Sequence, residues 1–434
     1  MSRRLIIFAI VMKKSVFRLT AIAILAVFPA QMGAFAQISD SHALDARLQD
    51  ATLRLEYAFC GSDSSSEIYL QDVCSLPRWA GRRVNLDALP LKGNGQLRMT
   101  DRETGNTLYM MSFSTLFQEW QATEEATRIR KSFENVFLVP MPSVSVDITV
   151  SLYDFKAREV ASLTHPFEPG DILIRPVEDP GYESRYLLRS GSAKDCIDVA
   201  ILAEGYTAAE KETFFSDAQA TVDAILAHEP FAALQDRFNF IAVAAISEDG
   251  GVSIPREGIW KDTVVGSHYD TFYTERYLTT PNVQAIHDAL AGVPYEHVII
   301  LANCDTYGGG GIYNSYTLTT AHHKLFKQVV VHEFGHSFGG LADEYFYDDQ
   351  YVDYYCPEVE PWEQNITTMA DFPSKWQDMV RSQEAGIYEG GGYMSKGVWR
   401  SSEDCRMRTN DAKEFCPVCR RAIERMIRFY TEEK

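Results

Sequence analysis

The sequence predicts a multidomain chain of α+β / α/β class: an N-terminal antiparallel β-sandwich, then a domain with a mixed sheet and one helix that carries a metal site. Three observations predict it. Between residues 37 and 176, short segments alternate apolar and polar residues and are separated by turn clusters, the period-2 pattern of half-buried strands. Beyond residue 194, near-continuous apolar runs alternate with helical patterns, as in a sheet buried on both faces. Residues 332–336 read His-Glu-Phe-Gly-His, a spacing that puts two imidazoles on one face of a helix.

Residues 1–36 differ from everything after them. They hold Arg3, Arg4, Lys13, Lys14 and Arg18 and no acidic residue, then an apolar run over residues 19–29, then Ala34-Phe35-Ala36. A basic start, an apolar run short of the ~20 residues needed to span a membrane and an A-x-A site read as a secretory signal cleaved before Gln37. Met12, followed by Lys13-Lys14, is an alternative start to Met1. The location expected is periplasmic, cell-surface or extracellular, with no integral membrane segment after cleavage. The formal charge is −19, and loss of the signal makes it more negative. Nucleic acid and anionic membranes are therefore excluded as expected partners. A hydrophobic share of 46% places the chain among globular proteins.

In the predicted sandwich, residues 37–176, the strands are exemplified by Leu53-Arg54-Leu55-Glu56-Tyr57, Gln96-Leu97-Arg98-Met99 and Ser145-Val146-Asp147-Ile148-Thr149-Val150, with turn residues over 61–66. Residues 114–131 read as one helix beside or across the sheet. The polar, Gly/Ser-punctuated stretch 177–194 reads as a linker. The second domain, 195–434, opens with an apolar strand over 196–203. Thr207 with Glu210 forms a capping box for a helix that turns Phe214, Phe215, Ala218, Val222 and Ile225 inward. Residues 238–246 and 297–303 are two more buried strands. Residues 321–339 form the motif helix, and residues 417–430 close the chain as a helix.

The metal reading rests on ligand chemistry. Zinc takes imidazole nitrogen or carboxylate oxygen at roughly 2.0–2.2 Å, and a catalytic site keeps one position open. His332 and His336 supply two ligands, with Glu333 beside them as the catalytic carboxylate. Gly339 and Gly340 end the helix, so the chain turns back and brings Asp343 or Glu344 as third ligand. Upstream, Gly309, Gly310, Gly311 and Ile312 form an edge whose missing side chains allow an extended peptide to approach. Eight cysteines in an exported chain point to disulfides. Four of them, Cys356, Cys405, Cys416 and Cys419, cluster near the C-terminus, and Cys416-Pro417-Val418-Cys419 has no second CxxC to complete a zinc knuckle.

The block His332-Glu333-Phe334-Gly335-His336-Ser337-Phe338-Gly339-Gly340-Leu341-Ala342-Asp343-Glu344-Tyr345, the glycine edge, and Phe415-Cys416-Pro417-Val418-Cys419-Arg420 resemble the IgA peptidase family of zinc metallopeptidases. Residues 332–339 followed by Cys405-Arg406-Met407-Arg408 resemble the wider metzincins, whose zinc lies above a methionine turn. The resemblance implies one catalytic Zn2+ held by His332, His336 and Asp343, with Glu344 the alternative third ligand, Glu333 as general base and acid, and Met407 in the methionine turn. The general metzincin pattern puts its third ligand where Ala342 stands; a shift of one residue gives Asp343. Tyr393 is a candidate for oxyanion support. The function expected is a secreted zinc endopeptidase acting on proteins or glycoproteins. The alternative is a host glycoprotein- or glycan-binding protein with a vestigial peptidase domain.

Overall fold

A computed structural model describes residues 44–348 and 354–433. The signal reading of residues 1–36 lies outside the described residues. The strands begin with β1 (Leu48–Ser62), β2 (Ser65–Leu76), β3 (Gly95–Asp101) and β4 (Thr107–Phe113), and helix α1 (Leu116–Gln121) follows. Next come β5 (Lys131–Pro142), β6 (Val146–Tyr153), β7 (Glu159–Phe167) and the short β8 (Arg175–Pro176). They build two four-stranded sheets, in the orders β5-β1-β2-β8 and β4-β3-β6-β7. Alternate residues of β1, Leu53, Leu55, Tyr57 and Phe59, meet Leu97 and Met99 of β3 and Ile148, Val150 and Leu152 of β6 in one core, as the two-residue period demands.

The helix read over residues 114–131 is shorter. α1 is capped by Thr115 and buries Leu116, Phe117 and Trp120. Past Gln121 no apolar residue keeps the helical spacing, one 3-10 turn follows at Glu125–Thr127, and β5 starts at Lys131.

The second region begins inside the stretch read as a linker. β9 (Glu183–Arg189) pairs antiparallel with β11 (Phe238–Ala244), and β10 (Ile197–Glu204) lies beside β11. The polar character of 177–194 is that of an edge strand, with one face and one edge toward solvent. α2 (Lys211–Leu226) grows from the Thr207/Glu210 capping box and buries the five predicted residues, Phe214, Phe215, Ala218, Val222 and Ile225. α3 (Val283–Ala289), β12 (His297–Ala302), β13 (Gly309–Ile312), β14 (Tyr316–Thr320) and α4 (Phe326–Ser337) follow. The six-stranded sheet runs β13-β14-β12-β10-β11-β9, parallel in its four inner strands and antiparallel at both edges. The inner strands are buried on both faces. Val199 and Ile201 face α2, α4 and the C-terminal helix, while Ala200 and Leu202 face α3.

Leu116 and Val136, from the first region, join the α3-side core. On the outer face of β1, Arg54 reaches Asp288 of α3 at 2.6 Å. A third, small sheet holds β15 (Phe346–Tyr347), β16 (Ile366–Thr367), β17 (Tyr388–Gly391) and β18 (Tyr393–Arg400), with α5 (Gln377–Arg381) between β16 and β17. α6 (Pro417–Thr431) closes the chain, its N-terminus capped by Cys416. Among the described residues no helix is long and apolar enough to cross a membrane.

Candidate metal centre

The centre is built on the last turn of α4. Val329, Val330, Val331 and Phe334 bury one side of this helix, which leaves His332, Glu333 and His336 half-buried along a cleft. The helix ends because Gly340 takes φ +59°, a left-handed conformation that costs glycine little. The Gly340 N–H donates to His336 O at 3.0 Å and the Leu341 N–H to Gly335 O at 3.1 Å. The chain then runs back across the end of the helix.

Both imidazoles are oriented by main-chain carbonyls. His332 Nδ1 lies 2.9 Å from Arg406 O, and His336 Nδ1 lies 2.6 Å from Leu341 O. A carbonyl only accepts, so each ring carries its proton on Nδ1 and points a bare Nε2 lone pair inward. The two Nε2 atoms are 3.0 Å apart. Asp343 Oδ1 lies 3.0 Å from the first and 3.3 Å from the second. With both rings neutral, three electron-pair donors thus converge, and Asp343 Oδ1 is buried without a hydrogen bond. Ligands of a tetrahedral zinc at roughly 2.0–2.1 Å stand about 3.3 Å apart, so this set fits the ion.

Electrostatics point the same way. Burial disfavours charge on His336, yet the Asp343 carboxylate and Glu333 outweigh it and hold its pKa up at about 9. Burial likewise opposes the charge of Asp343, and the two imidazoles hold it well below the usual carboxylate range. A site that draws in protons so strongly draws in a divalent cation by the same field.

Glu333 stands at the cleft wall. A Cβ at Gly309 would lie 2.8 Å from Glu333 Oε1. Burial raises the Glu333 pKa against the pull of His332 and His336, the direction a general base at neutral pH needs. Met407 is fully buried beneath Gly335, where an added Cβ would come within 2.7 Å of its sulfur. The neighbouring Arg406 carbonyl is the one that holds His332.

Two predicted residues stand outside this donor set. Glu344, the alternative third ligand, is turned away, because neighbouring residues in an extended stretch point to opposite sides. Its Oε1 lies 3.1 Å from Cys419 Sγ. Tyr393, read as oxyanion support, donates its hydroxyl to Asp343 Oδ2 and so orients the carboxylate. It holds φ +67°, with its N–H on Tyr345 O at 3.0 Å.

The glycine edge serves packing on both faces. Added Cβ atoms at Gly309 and Gly311 would strike α4, the latter 2.3 Å from Glu333 O. Those at Gly308 and Gly310 would strike Tyr269, Arg276 O, Tyr277 and Leu278 O. Part of the edge predicted for a peptide is already taken. Leu278 N donates to Gly309 O and Gly309 N to Arg276 O, both at 3.4 Å, and Ser114 N donates to Tyr313 O at 3.0 Å. By the alternation of a strand, Gly311 turns its main-chain groups to the same side as Gly309, so the stretch facing the cleft centres on Gly311.

Four residues that sequence reasoning missed, Glu119, Arg276, Tyr277 and Tyr347, line this cleft. Glu119 of α1, exposed to the open cleft, accepts a hydrogen bond from Tyr277, and desolvation by the surrounding cleft walls pushes its pKa up to about 7. Arg276 donates to Tyr347 at 2.8 Å. No local pattern marks them, since they come from segments remote in sequence. The cleft measures about 2110 Å³.

The cysteine cluster also differs from expectation. Cys405, Cys416 and Cys419 come together and are buried, all three as free thiols, while Cys356 is a half-buried free thiol elsewhere.

Compared with known families, residues 186–385 and 381–427 match IgA Peptidase M64, and residues 44–164 match Peptidase M64 N-terminus. The chain belongs to the IgA peptidase M64 family. It is therefore a peptidase, of a metallopeptidase family, with protein as its class of substrate. No curated protein matches the sequence.

Proposed function

We propose that this M64 peptidase is an exported, zinc-dependent endopeptidase whose single catalytic ion is held by His332, His336 and Asp343. The observation that carries the reading is the convergence of two bare Nε2 atoms and one carboxylate oxygen within 3.0–3.3 Å. Zinc bound there supplies Lewis acidity, which acidifies water and polarises a carbonyl.

The protein groups do the rest. Glu333 accepts the proton as water attacks the scissile carbonyl and returns it to the leaving amine. Tyr393 fixes the Asp343 carboxylate through Oδ2, as a second partner does for a metal ligand. Gly311 offers main-chain groups to an extended substrate, and Glu119 and Arg276 line its path. The cleft, at about 2110 Å³, is larger than the ~300–1,000 Å³ of a small-molecule site, which supports a polypeptide or glycoprotein substrate cleaved internally. The helix, edge strand and methionine turn support a metzincin-like catalytic region over 195–434. The two facing sheets support a sandwich-like region over 37–176, joined through 177–194. Residues 1–36 are the proposed secretory signal, and the N-terminal sequence of the exported protein should begin at Gln37.

The test of the activity is a proteome-derived peptide library digested by wild type and by Glu333→Gln at matched zinc content. Internal cleavages made by the wild type and absent with the variant are expected. An inert wild type that binds intact glycoprotein would replace this reading with that of a binding protein.

A further inference from the structure

Directly behind the metal centre lies a second convergence of ligand atoms that the peptidase chemistry does not use. Glu344, Cys405, Cys416 and Cys419 bring one carboxylate oxygen and three sulfurs within 4.8 Å of one another. All four are buried, with Glu344 and Cys419 at 0% exposure. Cys405 Sγ lies 3.7 Å from Cys419 Sγ. Glu344 Oε1 lies 3.1 Å from Cys419 Sγ and 4.0 Å from Cys416 Sγ.

Those separations match a tetrahedral ion. With Zn–S near 2.3 Å and Zn–O near 2.1 Å, two sulfur ligands stand about 3.8 Å apart and a sulfur and an oxygen about 3.5 Å. The surrounding donors are also in place. The Cys416 N–H donates to Cys405 Sγ at 3.2 Å, the Cys419 N–H to Cys416 Sγ at 3.5 Å, and Asn365 Nδ2 to Glu344 Oε1 at 3.0 Å. Such bonds orient ligands and favour thiolate. Cys416 and Cys419 sit on the first turn of α6, whose positive dipole end offsets anionic sulfur. Arg400, on the neighbouring sheet, also acts on the Glu344 charge. Against this, Glu344 Oε2 is buried with no hydrogen-bond partner. A carboxylate sealed beside three thiols is costly unless a cation neutralises it.

We propose that Glu344, Cys405, Cys416 and Cys419 bind a second zinc ion in a closed, structural site. Four protein ligands leave no position for water, which separates it from the catalytic centre. The ligating thiols lose their protons to solvent on binding. The site ties together the two loops that set the catalytic ligands. Glu344 follows Asp343, and its N–H donates to Met407 O at 2.8 Å. Cys405 precedes Arg406, whose carbonyl holds His332. The closing ligand of the CxxC pair is thus a lone cysteine and an acid, not a second CxxC.

The test is zinc stoichiometry by mass spectrometry, X-ray absorption at the zinc edge and denatured intact mass, on the full protein and on His332→Ala/His336→Ala. Wild type should hold two zinc ions with a sulfur shell near 2.3 Å. The double variant should keep one, with the sulfur shell enriched. One zinc in wild type with only nitrogen and oxygen ligands would overturn the site, as would a mass lower by two hydrogens that marks a disulfide among the three cysteines. One zinc in a shell of three sulfurs and one oxygen would keep this site and sink the proposed catalytic centre instead.

Discussion

Asp343 and Glu344 are adjacent in the chain, yet they face two sites of opposite design. Asp343 points with His332 and His336 into an open cleft, where the donors are nitrogen and oxygen and Glu333 waits beside them. Glu344 points with Cys405, Cys416 and Cys419 into a sealed interior. The first set leaves room for a reacting molecule, and the second leaves none. On the proposed readings, two adjacent residues divide chemistry from scaffold: one carboxylate would serve the reaction and the next would hold the loop that delivers it.

The strongest way to break this division is at the base. Glu333→Gln should lower kcat/KM by about 10²- to 10⁴-fold while leaving zinc content and Tm unchanged; a matching loss of zinc would show that Glu333 also holds the centre. Next, Cys405→Ser should remove the sulfur-bound zinc and lower Tm. Equal Tm values with and without the substitution would assign no clamping role to the buried site.

Gly309→Ala addresses the open side alone. The new Cβ lies 2.8 Å from Glu333 Oε1 and 3.0 Å from Val329 Cγ1, so the base must move. A displacement of that kind costs up to about 10²-fold in kcat/KM, read against an unchanged zinc stoichiometry. Tyr393→Phe deletes the hydroxyl on Asp343 Oδ2 and should weaken metal affinity by ~10–100-fold, measured by competition with a chelator.

The smallest effect is at Glu119. Desolvation by the cleft walls raises the native pKa of this exposed carboxyl from 4.5 to about 7, so the folded protein holds this proton more tightly than the unfolded chain. The resulting stability is present below pH 4.5 and is lost as pH rises through about 7. Glu119→Gln removes that dependence, so its Tm relative to wild type should climb across this window. A flat difference would show that the cleft does not desolvate the Glu119 carboxyl.

How much of this was legible in the sequence follows from distance along the chain. His332, Glu333 and His336 share two helical turns, and Gly340 with Asp343 completes the turn-back within seven residues of His336. Local geometry is enough to read the two histidines, Glu333 and the turn-back, and leaves Asp343 and Glu344 both open as third ligand. Met407 lies 71 positions beyond His336 and was reached through family resemblance. Glu119 comes from the first region and carries no local mark. The tetraglycine reads from sequence as a place for a substrate to approach, and its glycines also admit α4 on one face and residues 276–279 on the other. The polar stretch 177–194 was read as linker because an edge strand and a loop share composition. In the cysteine cluster, composition and spacing point to disulfides among Cys356, Cys405, Cys416 and Cys419, whereas the fold leaves all four as free thiols and brings Glu344 beside three of them.

The most direct measurement is anomalous diffraction at the zinc edge from crystals of the full protein. The account predicts a peak at roughly 2.0–2.2 Å from His332 Nε2, His336 Nε2 and Asp343 Oδ1. A peak ligated by Glu344 in place of Asp343, or no density between the two imidazoles, would contradict it.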